Sequence, residues 1–182
     1  MEGRRIILRP WAREDIAAFL VWFNDPDVTQ YLGNAYPNLS REAEEAFYDQ
    51  TAMDKHRYGI VTRDGGLLIG NCAITHIDSQ HRSAEVGIVI GSKAHWGQGF
   101  GREALGMLLE IAFDGLALHR VGLTYGAFNI RGERCYRAVG FREEGRTRDA
   151  WFVRGQYYDL VSMGILEHEY RALRGQQEGT PR

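Results

Sequence analysis

The stretch that decides the fold is Trp96-Gly97-Gln98-Gly99-Phe100-Gly101-Arg102-Glu103-Ala104. A β-branched segment, Ala84-Glu85-Val86-Gly87-Ile88-Val89-Ile90, precedes it, and behind it Leu105, Leu108, Leu109 and Ala112 fall on one side of a helix. Strand, glycine loop and amphipathic helix in that order make an anion site. Glycines let the main chain curl so that successive N–H groups point into one concavity, and the helix presents its positive dipole end to the same place. The expected ligand is a diphosphate. A P-loop needs GxxxxGK[ST], and no Lys-Ser or Lys-Thr follows here, so nothing is present to hold a γ-phosphate or Mg²⁺. A Rossmann fingerprint needs GxGxxG, whereas Gly97, Gly99 and Gly101 give GxGxG in mid-chain, with no acidic residue at the ribose-binding distance.

Working outward, Arg4-Arg5-Ile6-Ile7-Leu8-Arg9 followed by Pro10 predicts a first strand. Residues 13–24 carry Ile16, Phe19, Leu20 and Phe23 at three-and-four spacing, a helix stopped by Asp25-Pro26-Asp27. Residues 31–39 are rich in Gly, Asn, Tyr and Pro and read as a lid. Ser40 then caps a second helix whose first turns hold Glu42, Glu44 and Glu45. Residues 58–62 and 67–74 flank Arg63-Asp64-Gly65-Gly66 and predict an antiparallel hairpin. Downstream come a strand at 121–125, a short helix at 130–139 ended by Gly140, and two strands around Trp151 and Leu160. The order β α α β β β α β α β β predicts an α+β fold: a central mixed, mostly antiparallel twisted sheet of about seven strands, with helices on both faces. Residues 1–182 read as one domain without internal repeats, and about 174–182 as a flexible C-terminal tail lacking apolar side chains.

Composition narrows the function classes. Hydrophobic residues make up 44% and charged residues 25% of 182, which is ordinary globular usage. A formal net charge of -2 offers no field for many phosphate contacts, so no nucleic acid partner is expected. No apolar run approaches the roughly 20 residues that span a bilayer, and no signal-peptide core follows Met1, so a cytoplasmic protein without a membrane partner is expected. Cys72 and Cys135 have no CxxC neighbour, and the six histidines lack HxxxH or HxH spacing; the sequence predicts free thiols and no metal.

The loop resembles the acetyl-CoA diphosphate loop of the GNAT acetyltransferases, (Gln/Arg)xxGx(Gly/Ala), aligned on Trp96, Gly99 and Gly101. Trp96 stands where Gln or Arg is usual, in the Trp-Gly-(Lys/Gln)-Gly version of the RimJ/RimL-like branch. A second segment, Asn129-Ile130-Arg131-Gly132-Glu133-Arg134-Cys135-Tyr136-Arg137-Ala138-Val139-Gly140-Phe141, is similar to the family's Nxx(Ser/Ala)xx(Leu/Ala/Cys)Y(Glu/Arg)xxGF element, with Gly132 in place of Ser or Ala. The two stand in the order and spacing of a βαβα unit. The resemblance extends from Leu8-Arg9-Pro10 to Tyr158-Asp159-Leu160-Val161-Ser162-Met163.

The resemblance implies an acetyl-CoA-dependent N-acetyltransferase in which an amine attacks the thioester directly in a ternary complex. Such a reaction needs a base for an ammonium of pKa about 10, donors for the carbonyl oxygen, and an acid for a departing thiolate whose thiol pKa is about 8.5. Tyr136 matches the family's acid, and Glu85 is the candidate base, the alternative being a solvated strand glutamate. Main-chain N–H groups around Ile88, Val89 and Ile90 are the candidate oxyanion donors, beside the pantetheine arm. Trp96, Gly97, Gln98, Gly99, Phe100, Gly101 and Arg102 are expected to hold the diphosphate. Asn129 bonds a pantetheine amide, caps its helix, or both. Arg134 and Arg131 meet phosphate oxygens or are solvated helix charges. Cys135 has no histidine in its segment and reads as a packed thiol, not a nucleophile. Tyr36, Trp151 and Tyr158 are candidates to line the acceptor cleft. The expected acceptor is a protein N-terminal α-amine, the alternatives a small polyamine, aminoglycoside or amino sugar; a non-catalytic acetyl-CoA sensor or scaffold is the other class. A homodimer is left open.

Overall fold

A computed structural model describes residues 1–33, 38–51 and 53–178 of the chain. Strand β1 (Ile6–Pro10) leads into helix α1 (Ile16–Phe23), the short α2 (Pro26–Thr29) and α3 (Arg41–Thr51). Asp25-Pro26-Asp27, expected only to stop α1, also starts α2: the Asp25 side chain accepts from the Asp27 N–H at 2.9 Å, and Pro26 takes the first helical position, where no N–H is needed. Ser40 caps α3 as expected, its hydroxyl accepting from the Ala43 N–H at 3.2 Å.

Strands β2 (Arg57–Thr62), β3 (Leu68–Asp78) and β4 (Ser83–Ile90) form an antiparallel meander on β1. Helix α4 (Phe100–Glu110) crosses to β5 (Arg120–Gly126), which runs parallel to β4. Helix α5 (Ile130–Ala138), the long hairpin β6 (Arg142–Val153) and β7 (Gln156–Leu166), and helix α6 (Glu167–Glu178) complete the chain. The seven strands form one sheet in the order β1-β2-β3-β4-β5-β7-β6, the mixed, mostly antiparallel α+β architecture expected.

Two apolar clusters flank the sheet. The larger joins Ile6, Ile60, Ile74 and Val86 to Leu105, Leu108 and Phe113 behind α4. The smaller, on the α1 side, joins Trp11, Phe19, Trp22 and Val28, with Val89 and Trp96 packed against it. Helix α6 continues through 174–178, where composition placed the start of a tail; Arg174 holds Asp114 at 2.8 Å and the Tyr170 hydroxyl at 3.0 Å, anchoring a helix with few apolar residues.

The decisive feature lies between β4 and β5. Their parallel register covers Ser83↔Arg120, Ala84↔Val121 and Glu85↔Gly122, and stops there. Beyond Glu85, β4 stays paired to β3 from Val86 to Ile90 but, among the described residues, has no strand partner on its other side, so β4 and β5 splay apart. Alternate main-chain N–H and C=O groups of this half of β4 face the gap and lack strand partners there.

Candidate active site

The loop after β4 is built to present its amides. Gly97 and Gly99 sit in the left-handed region, φ 73° and 84°, which other residues adopt only with strain, and Gly99 is the N-cap of α4. Several contacts hold the curl. The Trp96 indole N–H donates to the Ile90 carbonyl, tying the loop to the end of β4. Arg5 donates to the Gln98 carbonyl at 2.9 Å and lies over the Phe100 ring at 4.5 Å. Glu103, one turn into α4, accepts from the Arg5 N–H at 2.7 Å and Nε at 3.2 Å, and from the Ile6 N–H at 3.3 Å. Burial works to raise the Glu103 pKa, but these donors outweigh it and hold the carboxyl below its usual range.

In front of the loop lies a cavity of about 520 Å³. Its walls include Ile88, Val89 and Ile90 of β4, then Trp96, Gly97, Gly99, Phe100, Gly101 and Arg102, and on the far side Asn129, Arg134, Cys135 and Tyr136 of α5. The sequence-expected cofactor residues are thus brought together, with one exception. Gln98 is not in the wall: its side chain turns back to donate to the Ala94 carbonyl at 2.6 Å, so it serves the loop's shape. Arg102, Arg131 and Arg134 have no carboxylate partner among the described residues and concentrate positive charge around a space rimmed by N–H groups. Arg131 stacks over Trp96 at 3.8 Å, fixing both at the mouth.

Asn129 is buried and caps α5, its Oδ1 accepting from the Gly132 N–H at 2.9 Å. A Cβ at position 132 would stand 2.5–3.0 Å from the Asn129 amide, which gives Gly132 a structural reason to replace Ser or Ala. The Asn129 Nδ2 group has no partner among the described residues and lines the cavity. Cys135 has its thiol pushed up to about 11 by burial, partly countered by Arg102; it stays protonated at neutral pH, in keeping with a packed thiol.

A second cavity, about 610 Å³, opens on the other side of the splay. The two adjoin, sharing Tyr31, Leu32, Ile88, Val89 and Tyr136 in their walls, so Tyr136 stands at the waist between them. The Tyr136 ring packs on Tyr125 at 5.3 Å between centroids, and burial pushes its phenol pKa well up. Tyr31 stacks on Phe128 at 5.7 Å and meets Trp96 edge-on at 6.3 Å, bridging the gap above the waist.

The second cavity is walled by aromatic rings, among them Trp11, Phe23, Phe47, Tyr58, Trp151 and Phe152. Trp151, a sequence candidate for the acceptor cleft, lines this cavity. Tyr158 is not in the wall: its ring packs behind Phe128 at 4.8 Å and its hydroxyl donates to Gln156 at 2.6 Å. Tyr36 lies outside the described residues. Glu85 is exposed and lies 3.2 Å from His76 Nδ1, outside both linings. It is opposite Thr75, a wall residue, and two residues before Gly87, another, so it stands at the rim. The sequence reading missed Trp11, Phe47, Arg57 and Tyr125. Trp11, just after β1, and Phe47 of α3 meet edge-on at 5.9 Å, a contact that no local pattern reveals.

The family model for the acetyltransferase (GNAT) domain matches residues 5–142. The chain belongs to this family. Among its GNAT relatives are the spermidine N(1)-acetyltransferase of Vibrio cholerae, 30% identical over 167 residues that cover 91% of this chain and 95% of that protein, and the uncharacterised N-acetyltransferase p20 of Bacillus licheniformis, 28% identical over 91% of this chain and 95% of its own. The crystal structure of the Vibrio cholerae spermidine N-acetyltransferase in complex with CoA and spermine superposes with a TM-score of 0.82, covering 92% of this chain and 98% of that one. The chain is an acyl-CoA-dependent N-acetyltransferase with acetyl-CoA as co-substrate, transferring acetyl to an amine. The site fits that group: open amides and unpaired arginines for the diphosphate, an unpaired strand edge for the pantetheine amides, and a phenol at the waist.

Proposed function

We propose that this GNAT enzyme acetylates a primary amine of a small polyamine, which enters through the aromatic-walled cavity and meets the thioester beside Tyr136. The observation that carries this reading is the adjacency of the two cavities: both have Tyr136 in their walls, and the acceptor side offers ring faces that suit ammonium groups and methylene chains. The likeness to spermidine acetyltransferases over nine-tenths of both chains supports it.

Acetyl-CoA supplies the activated acyl group; the chain positions it and moves protons. Main-chain N–H groups of β4 between Val86 and Ile90 receive the thioester carbonyl as negative charge builds on its oxygen. Tyr136, kept protonated by burial, gives its proton to the departing sulfur. Glu85, paired with His76 at the rim, takes the proton of the acceptor ammonium through water. Gln98, Asn129 and Arg134 hold the loop, the helix cap and the phosphates in place.

The test is a turnover screen with purified chain and acetyl-CoA, reading thiol release with spermidine, aminoglycosides, amino sugars and peptides bearing free N-termini. Turnover with spermidine at a kcat/KM above that for every peptide is expected. Turnover with peptides alone would restore the protein N-terminal acceptor, and none with any amine, at undiminished CoA affinity, would make the chain a sensor.

A further inference from the structure

Two buried side-chain polar atoms have neither a hydrogen-bond nor an ion-pair partner among the described residues: Glu44 Oε1 and the Tyr125 hydroxyl. Both belong to residues lining the acceptor cavity. Buried polar atoms are almost always satisfied, so an orphan carboxylate oxygen beside this space marks where a polar ligand belongs. Tyr125 lies at the reacting end, packed on Tyr136. Glu44 lies on α3, which also contributes Phe47 to the wall, and Phe47 meets Trp11 edge-on.

Glu44 is the informative one. It precedes Phe47 and Tyr48 by one helical turn, and those rings pack on Trp11 at 5.9 and 5.2 Å, so the carboxylate shares their inward face. It is 4% exposed. The other acids of α3 are spent or solvated: Glu42 is exposed, Glu45 pairs with Arg41 at 3.6 Å, and Asp49 pairs with Arg13. Arg57, a cation in the same wall, is met by Asp54 at 3.0 Å and lies against the Phe47 ring at 5.3 Å, and it forms no ion pair with Glu44. A carboxylate withdrawn from water without a counter-charge is costly, and burial accordingly pushes the Glu44 pKa up. A cation arriving in the cavity relieves that cost.

We propose that Glu44 anchors a second, non-reacting ammonium group of the acceptor, so that this site selects diamines and polyamines over monoamines. The inference rests on the polyamine reading above and adds the residue that enforces it. Phe47 and Trp11 then line the methylene chain, while the free end of the acceptor reaches the waist at Tyr136.

The experiment measures KM and kcat for spermidine, 1,4-diaminobutane and n-butylamine with the wild type, Glu44→Gln and, as a control, the exposed Glu42→Gln. Wild type is expected to prefer the diamine over n-butylamine by roughly tenfold or more in kcat/KM, the scale of one charge-assisted contact. Glu44→Gln is expected to raise KM for both multivalent amines by at least that factor, leaving kcat, KM for acetyl-CoA and KM for n-butylamine within about twofold. Glu42→Gln is expected to change none of them. Equal effects of Glu44→Gln on monoamine and diamine, or no effect, would overturn the proposal while leaving the polyamine reading intact. Rejection of every polyamine by the wild type would overturn both. Should Glu44→Gln fail to fold, the wild-type preference alone decides, and its absence refutes the anchor.

Discussion

Replacing Tyr136 by Phe removes one oxygen and keeps the ring that packs on Tyr125. The Tyr136 hydroxyl has no hydrogen-bond partner among the described residues, so no partner is stranded and stability should move by less than about 1 kcal/mol. The cavity in front of the glycine loop is built by other side chains, so CoA affinity should hold within about threefold. What disappears is the proton for the departing sulfur. General acids contribute about 10²–10⁴ in rate, or about 3–5 kcal/mol of barrier at 1.36 kcal/mol per factor of ten. The assay is kcat from thiol release with saturating acceptor, beside calorimetric CoA binding and a melting curve on the same preparation. A kcat within threefold of wild type would refute the acid role. So would a fall in kcat matched by lost CoA binding, which would make the phenol a cofactor contact.

Further outcomes follow from the loop and its supports. Gly99→Val forces a β-branched residue into φ 84°, and should cost about 2 kcal/mol, lower Tm by roughly 4–8 °C, and raise KM for acetyl-CoA. Because the folded Glu103 carboxyl lies below its unfolded pKa of about 4.3, its stabilisation is present above that value and lost as pH falls through the folded one; acid unfolding between pH 5 and 3 should be steeper for wild type than for Glu103→Gln. With its pKa at about 11, Cys135 should alkylate slowly at pH 8, and Cys135→Ala should keep at least half of kcat, an outcome that an acyl-cysteine route forbids.

Elements whose signal is local were legible in the sequence. The strand–loop–helix around Gly97 and Gly99, the hairpin on Arg63-Asp64-Gly65-Gly66 and the Asn129 cap each carry their turn or cap chemistry within a few residues. Strand β6 was read only near Trp151, because most of it is exposed on the sheet edge and its charged run Arg142-Glu143-Glu144-Gly145-Arg146-Thr147-Arg148 lacks alternation. The splay was invisible, since nothing in Val86 to Ile90 says that pairing ends at Glu85. Within the site, the loop and α5 residues were readable as motifs. Trp11, Phe47 and Arg57 come from three separate segments of the chain, and only the fold assembles them. Glu44 left one trace, a carboxylate in step with an aromatic pair one turn later.

Because β4 and β5 share only three registered pairs, the sheet behaves as two leaves bound along a short spine. A molecule lying in the cleft stitches the leaves together along the unbound length, so occupancy stiffens the whole protein and not the pocket alone. Deuterium uptake by amides from Val86 to Ile90 should slow on CoA addition, and the melting transition should sharpen and rise with ligand concentration.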